Sequence, residues 1–282
     1  LEAVFFMNPY QLLADSLEVR FLHIKQHELD HQWRINKQLL RHSVLWYLET
    51  GTFTLSVNDK LYTCKEGQMC VLPANFEITC RPISNELRLI SINFDAEISF
   101  LSNRCWGHIL NIPVVFEDTL AELAPIVREM LRVMGEPSPF LSLLMQSSLL
   151  RILFVLLQQS TSEQALSPHH IMDTRIHAII LYLLAHPHKM PEIHELAELV
   201  HVSESHLRKL FIQDMGQAPL QFVHRLKIEQ AKKLISTSDK PISQIADELG
   251  VQNANYFTRM FKAKSGYTPQ QYRQQFGLWL ND

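Results

Sequence analysis

The sequence predicts an α+β multidomain protein, with an N-terminal antiparallel β-barrel of jelly-roll type carrying additional helices and a C-terminal all-α tandem helix-turn-helix. Three observations predict it. Short segments of alternating polarity, separated by turn residues, fill the first third of the chain. Two strongly apolar helical segments and a polar, breaker-rich stretch follow. The C-terminal third then carries one pattern twice: Ile193, Leu196, Ala197 and Val202 recur 49 positions later as Ile242, Ile245, Ala246 and Val251, and Leu207, Phe211, Gly216 and Pro219 recur 50 later as Phe257, Phe261, Gly266 and Pro269. At 282 residues the chain has room for two domains, each with its own core.

The opening residues, LEAVFFMNPY, have an acidic residue near the start and no basic n-region, so they read as an arm and not as a signal peptide. From Val19 to Phe94, SVLWYL, TFTLSV, KLYTC, MCVLP and LRLISINF read as strands, with turns at Gly51, Asn58-Asp59, Gly67, Pro73-Ala74-Asn75 and Ser84-Asn85. His23, His27 and His31 are spaced by four, a metal-holding face on a helix; EVRFLHIKQHELDH alternates like a strand entering a loop, which loses that register. Residues 119–134 and 139–159 read as helices. The second carries Leu141, Leu144, Met145, Leu149, Ile152, Leu153, Val155 and Leu156, more apolar surface than one neighbour covers, so part is expected to meet a second subunit. Its longest apolar stretch, Leu149–Leu157, contains Arg151 and is too short to span a bilayer, so no membrane partner is expected. The boundaries expected are 1–160 for sensing and dimerisation, 161–172 for a linker and 173–282 for DNA binding.

The C-terminal part opens with a helix from about Asp173 to Ala185. In each repeat a short helix, a tight turn and a second helix follow, with Ala197 and Ala246 small where the second helix crosses. The one-residue change of offset falls in the turn. Ser203 and Asn253 stand where they cap the second helices, and Gly250 sits where a positive φ is often needed; the first copy has His201 there. Between the copies, Pro219 to about Ser236 reads as one helix of about 17 residues, about 26 Å at about 1.5 Å each, which puts the two second helices on the order of one duplex turn apart. An accidental repeat in a helical bundle is the alternative. Matching apolar stripes, closing Gly-x-x-Pro signals and a suitable spacer speak against it.

VSESHLRKLFIQDMGQAPLQFV (202–223) and PISQIADELGVQNANYFTRMFKAKSGYTPQQYR (241–273) resemble the AraC/XylS family of bacterial transcription regulators. The resemblance implies base-reading positions at Ser205, Arg208 and Lys209, with His206 beside them, and at Asn255, Tyr256 and Arg259, with Thr258 beside them. Arginine suits a guanine edge and asparagine an adenine. Lys262, Lys264, Lys232 and Arg225 suit phosphates, with an ordinary solvated face the equal alternative for Lys232 and Lys264. From Asp173 onward Lys and Arg number 13 against 11 acids, a net of +2, while residues 1–172 carry −5; nonspecific attraction is thus small and base contacts or a dimer must supply much of the affinity.

The front half resembles the cupin-like sensor domain of many such regulators, with Gly51 closing one motif and GQMCVLPAN (67–75) keeping the Gly and Pro of the second. Metal-binding cupins place an acid and histidines there; this chain has Val44 and Ile78 at the acid and second-motif histidine positions, and Lys37–Leu40 at the earlier ones. No metal, cofactor or enzymatic chemistry is therefore expected. If Val44 and Ile78 point inward, alternation sends His42, Trp46, Cys80, Leu89 and Ser91 inward too, a mostly apolar lining suited to a hydrophobic or aromatic effector. A solidly filled core is the alternative. Cys64, Cys70, Cys80 and Cys105 show no CxxC spacing and read as reduced core residues of a cytoplasmic protein. The expectation is a DNA-binding, homodimeric regulator that contacts RNA polymerase and answers to a small effector. A ligand-independent regulator is the first alternative and a cupin enzyme fused to a DNA-binding module the remote one.

Overall fold

A computed structural model describes residues 9–57, 59–100, 106–110, 112–136, 138–160 and 173–277. The expected linker at 161–172, Cys105 and the first eight residues of the expected arm lie outside the described residues. The chain divides into two compact units, one of residues 17–99 with 103–172, the other of 1–16, 100–102 and 173–282.

The first unit is built on two antiparallel sheets. Its strands are β1 (Leu17–Asp30), β2 (Ile35–Leu39), β3 (Ser43–Thr50), β4 (Thr52–Val57), β5 (Lys60–Lys65), β6 (Gln68–Leu72), β7 (Glu77–Pro82), β8 (Glu86–Ile98) and β9 (Val115–Glu117). They order as β1-β8-β3-β6-β9 and β2-β7-β4-β5. The turns between strands fall where the sequence places them. Gly51 is required at its corner, since φ is +94° and a Cβ there would lie 2.6 Å from the Glu86 carbonyl oxygen.

Alternation sorts each strand onto two faces. Val44, Trp46, Leu48, Phe53, Leu55, Cys64, Cys70, Leu72, Ile78, Cys80, Leu87 and Leu89 form one core shared by the two sheets. The opposite face of the five-stranded sheet is apolar too: Leu45, Ile90, Ile92, Phe94 and Ile98 are buried. Phe94 meets Trp106 edge to face at 5.5 Å, and buried Ser43 accepts hydrogen bonds from Trp106 Nε1 at 3.0 Å and Ala74 N at 3.2 Å, so no polar group is stranded there.

The remaining helices of this unit are α2 (Trp106–Ile109), α3 (Leu123–Val133) and α4 (Leu141–Ser160), after α1 (Pro9–Asp15) of the second unit. α2 and β9 were not expected. α3 starts four residues later than its apolar pattern suggests, because the Asp118 carboxylate accepts from the Glu122 and Leu123 amides at 3.0 and 2.8 Å, and Ala121 takes a positive φ of 53° that excludes helix. Met145, Leu149, Ile152, Leu153, Val155 and Leu156 of α4 are buried. Gln146 closes the free edge of β1, its Nε2 donating to Val19 O at 2.6 Å and its Oε1 accepting from Phe21 N at 2.9 Å. Residues 141–159 are long and apolar enough to cross a membrane by length and composition, a longer stretch than Leu149–Leu157 because neutral serine and glutamine extend it; one face of this helix packs on α3 and β1.

The second unit comprises α1, α5 (Thr174–Ala185), α6 (Ile193–Leu199), α7 (Glu204–Met215), α8 (Pro219–Thr237), α9 (Ile242–Glu248), α10 (Ala254–Ser265) and α11 (Pro269–Phe276). Asp173 caps α5, accepting from Arg175 N at 2.9 Å, and the Arg175 guanidinium at 2.6 Å holds its carboxyl below the usual range. The expected boundary assigns everything before residue 160 to the sensor. α1 instead packs on α5 with Leu12 and Leu13 buried, Asp15 pairs with Lys233 of α8, and Phe100 meets Phe222 at 6.2 Å, because these apolar side chains complete the second core.

Candidate nucleic-acid interface

The two helix-turn-helix units repeat in atomic detail. α6 and α9 are each 7 residues long and α7 and α10 each 12. In the turns, Val202 N donates to Ala197 O at 3.0 Å and Val251 N to Ala246 O at 2.9 Å; His201 N donates to Glu198 O and Gly250 N to Asp247 O. His201 and Gly250 share the left-handed conformation, φ 54° and 74°, so the missing glycine does not change the first turn. The offset steps from 49 to 50 at Gln252, between Val251 and the cap Asn253. Ser203 Oγ accepts from His206 N, and Asn253 Oδ1 from the Asn255 and Tyr256 amides. Gly216 and Gly266 end the second helices at φ 65° and 80°, and Pro219 and Pro269 open the next ones.

Each second helix buries one side and presents the other. Leu207, Phe211 and Met215 are buried in α7, and Phe257, Met260 and Phe261 in α10. Ser205, His206, Arg208 and Lys209 are exposed on the first, Asn255, Tyr256, Arg259 and Lys262 on the second, with Thr258 half-buried. Arg208 pairs with Glu204 at 3.2 Å, one turn earlier, whereas Arg259 makes no hydrogen bond or ion pair among the described residues. Ile212, exposed one turn beyond Arg208, was not singled out from sequence and stands where α10 has Lys262. Lys232 is half-buried and tied to Glu229 at 2.7 Å.

α8 connects the units through 19 residues and buries a lysine. Lys227 is 1% exposed, its Nζ donates to Pro187 O, and burial pulls its pKa from 10.5 down to about 8. Between about pH 8 and 10.5 the unfolded chain therefore holds a proton that the folded unit lacks, and stability rises with pH across that window. At neutral pH the burial penalty is on the order of 3 kcal/mol. Lys227→Met should be more stable than the parent at pH 7, with the gap closing toward pH 10; parallel urea midpoints for the two proteins at both pH values would refute this.

Within the first unit, Val44, Trp46, Ile78, Cys80 and Leu89 point into the shared core, and Trp33, Trp46 and Phe53 pack edge to face with centroids 5.8–6.2 Å apart. Ser91 is buried, its hydroxyl 2.8 Å from His27 Nε2. His42 is a correction: it is exposed and pairs with Asp95 at 2.8 Å, because β3 begins at Ser43 and strand alternation does not reach residue 42. His23 and His27 lie on β1 and meet Asn93 and Ser91. No group of three or more His, Cys, Asp or Glu with metal-holding geometry occurs among the described residues.

An AraC-like ligand binding domain model matches residues 24–153, and a helix-turn-helix domain model matches residues 196–275. An uncharacterized HTH-type transcriptional regulator of Haemophilus influenzae is 22% identical over 278 residues, 89% of this chain and 93% of that protein. One of Staphylococcus aureus is 36% identical over 101 residues, 36% of this chain but only 14% of that longer protein. Among solved structures, the C-terminal domain of AraT, a response regulator from Geobacillus stearothermophilus, matches at 24% identity over 40% of this chain and 94% of that one, TM-score 0.38. ToxT from Vibrio cholerae, bound to an unsaturated fatty acid, matches at 16% identity over 93% and 97%, TM-score 0.36.

Proposed function

Since the chain belongs to the AraC family of DNA-binding transcriptional regulators, with an AraC-like ligand-binding domain ahead of its helix-turn-helix domain, we propose that it reads promoter DNA as a cytoplasmic homodimer and that a small, largely apolar effector in the sensor modulates this binding. α7 and α10 enter successive major grooves. Arg208, Lys209, Asn255 and Arg259 address base edges, assisted by Ser205, His206, Tyr256 and Thr258, and Lys262 addresses a phosphate. The observation that carries the reading is the pair of exposed, donor-rich faces on two helices whose opposite sides are buried in matching cores. RNA polymerase is the protein partner at the promoter.

Arg259→Ala should lose about 1–3 kcal/mol at the cognate site and relax preference at one base, whereas Lys262→Ala should weaken every sequence alike. Promoter fragments selected from genomic DNA by the full-length protein supply the probes. Equal losses on selected and random duplexes for Arg259→Ala would remove it from base reading.

The apolar core side chains Trp46, Ile78, Cys80 and Leu89 support a hydrophobic effector, with Ser91 and His27 as its polar end. The edge-to-face packing of Trp33, Trp46 and Phe53 favours a second reading, a ligand-independent regulator whose sensor serves dimerisation or protein-partner binding. An apolar compound that changes DNA affinity decides for the first reading, because only a ligand preferring one arrangement shifts the equilibrium.

A further inference from the structure

We propose that Cys64 and Cys70 form an oxidisable dithiol, which hydrogen peroxide converts to a disulfide joining the two sheets of the sensor unit. The sulfurs lie 3.1 Å apart, Cys70 donating its S–H to Cys64. A disulfide requires them to close by about 1 Å. Both side chains are fully buried in the core between the sheets. Cys64 stands on β5, an edge of the four-stranded sheet, and Cys70 on β6 of the five-stranded sheet, so the bond crosses from one sheet to the other at the β5–β6 corner.

The reaction runs in two steps. The Cys64 sulfur, which accepts the hydrogen bond, breaks the peroxide O–O bond, becomes a sulfenic acid and releases one water. The Cys70 sulfur then displaces the sulfenic oxygen, forming the S–S bond as the second water leaves. The two electrons and two protons lost by the thiols end in those two waters. The hydrogen bond to Cys64 and burial both push the Cys70 thiol up, so it stays a thiol while Cys64 reacts, and its proton leaves with the sulfenic oxygen as the second water. Burial restricts the oxidant to a small neutral molecule.

Cys80 supplies an internal control. It occupies the same core, but β4 separates it from Cys64: Cys64 pairs with Phe53, and Cys80 with Leu55. Burial pushes its thiol up to about 12.

The experiment treats the reduced full-length protein with hydrogen peroxide, alkylates remaining thiols under denaturing conditions, and maps peptides by mass. The expected product has Cys64 joined to Cys70, lighter by two hydrogens and reopened by dithiothreitol, with Cys80 alkylated; Cys80→Ser should give the same link. Cys64 and Cys70 recovered as free thiols, oxidised separately to sulfinic or sulfonic acids, or joined to other partners would overturn the proposal.

Discussion

Gly250→Ala should destabilise the DNA-binding unit by about 3 kcal/mol or more, combining left-handed strain with overpacking. A Cβ at this position would lie 2.2 Å from the His188 carbonyl oxygen and 2.9 Å from its carbon, and both are backbone atoms that no rotamer change can move. Gly266 separates the two causes. Its φ of +80° is similar, but nothing lies within 4 Å of a Cβ there, so Gly266→Ala should cost only about 1–2 kcal/mol. His201 carries a side chain at φ 54° in the equivalent turn, so conformation alone does not demand glycine; the approach of the His188 and Lys189 backbone does. Gly250→Asn, which tolerates the left-handed region, should therefore fail to restore stability. Urea midpoints for the three variants measure this. Equal losses for Gly250→Ala and Gly266→Ala would show that the turn does not depend on the close approach.

Phe154→Glu combined with Leu143→Glu should convert the protein from dimer to monomer without unfolding it. Leu143, Leu150 and Phe154 are exposed along one side of α4, with Phe154 61% and Leu143 68% accessible and Phe140 exposed just ahead of the helix, while Leu149, Ile152 and Leu156 on its other side are buried. An exposed apolar stripe of this kind marks an association surface, and the proposed occupant is the same helix of a second subunit. Carboxylates buried there without partners would oppose association strongly. Sedimentation equilibrium should give a dimer for the parent and a monomer for the variant with an unchanged thermal midpoint. Affinity for a two-site operator should then fall on the order of 100-fold, since the second site loses its tether. A parent protein that is monomeric at micromolar concentration would refute the assignment of α4.

The two helix-turn-helix repeats were legible because their elements announce themselves locally. Apolar stripes follow the 3.6-residue period, Ser203 and Asn253 mark helix starts, glycines mark ends, and the repeat checks each copy against the other. The strands were legible from alternation and from turns at Gly51 and Gly67. What was missed depends on contacts distant in sequence. α1 buries Leu12 and Leu13 against a helix more than 150 residues away, which no local pattern records. β9 exists because Val115 and Phe116 pair with Cys70 and Met69. His42 was misassigned because alternation says nothing about where a strand begins. Lys227 did leave a signal: it falls four residues after Val223 and four before Ala231, on the buried stripe of α8.

Placing α1 with the C-terminal helices makes the sensor an insertion within the unit that reads DNA. In order of synthesis, α1 precedes the sensor unit yet belongs to a core whose other helices are made after that unit. At about 5–20 residues per second, the partner helix α5 follows α1 from the ribosome by roughly 8–30 s, long enough for the β-sheet unit to form while Leu12 and Leu13 wait without a partner. The high contact order of that pairing falls once the intervening unit has folded, since a folded unit shortens the loop that α1 must close. Assembly of the DNA-binding unit thus becomes a late event that follows sensor folding.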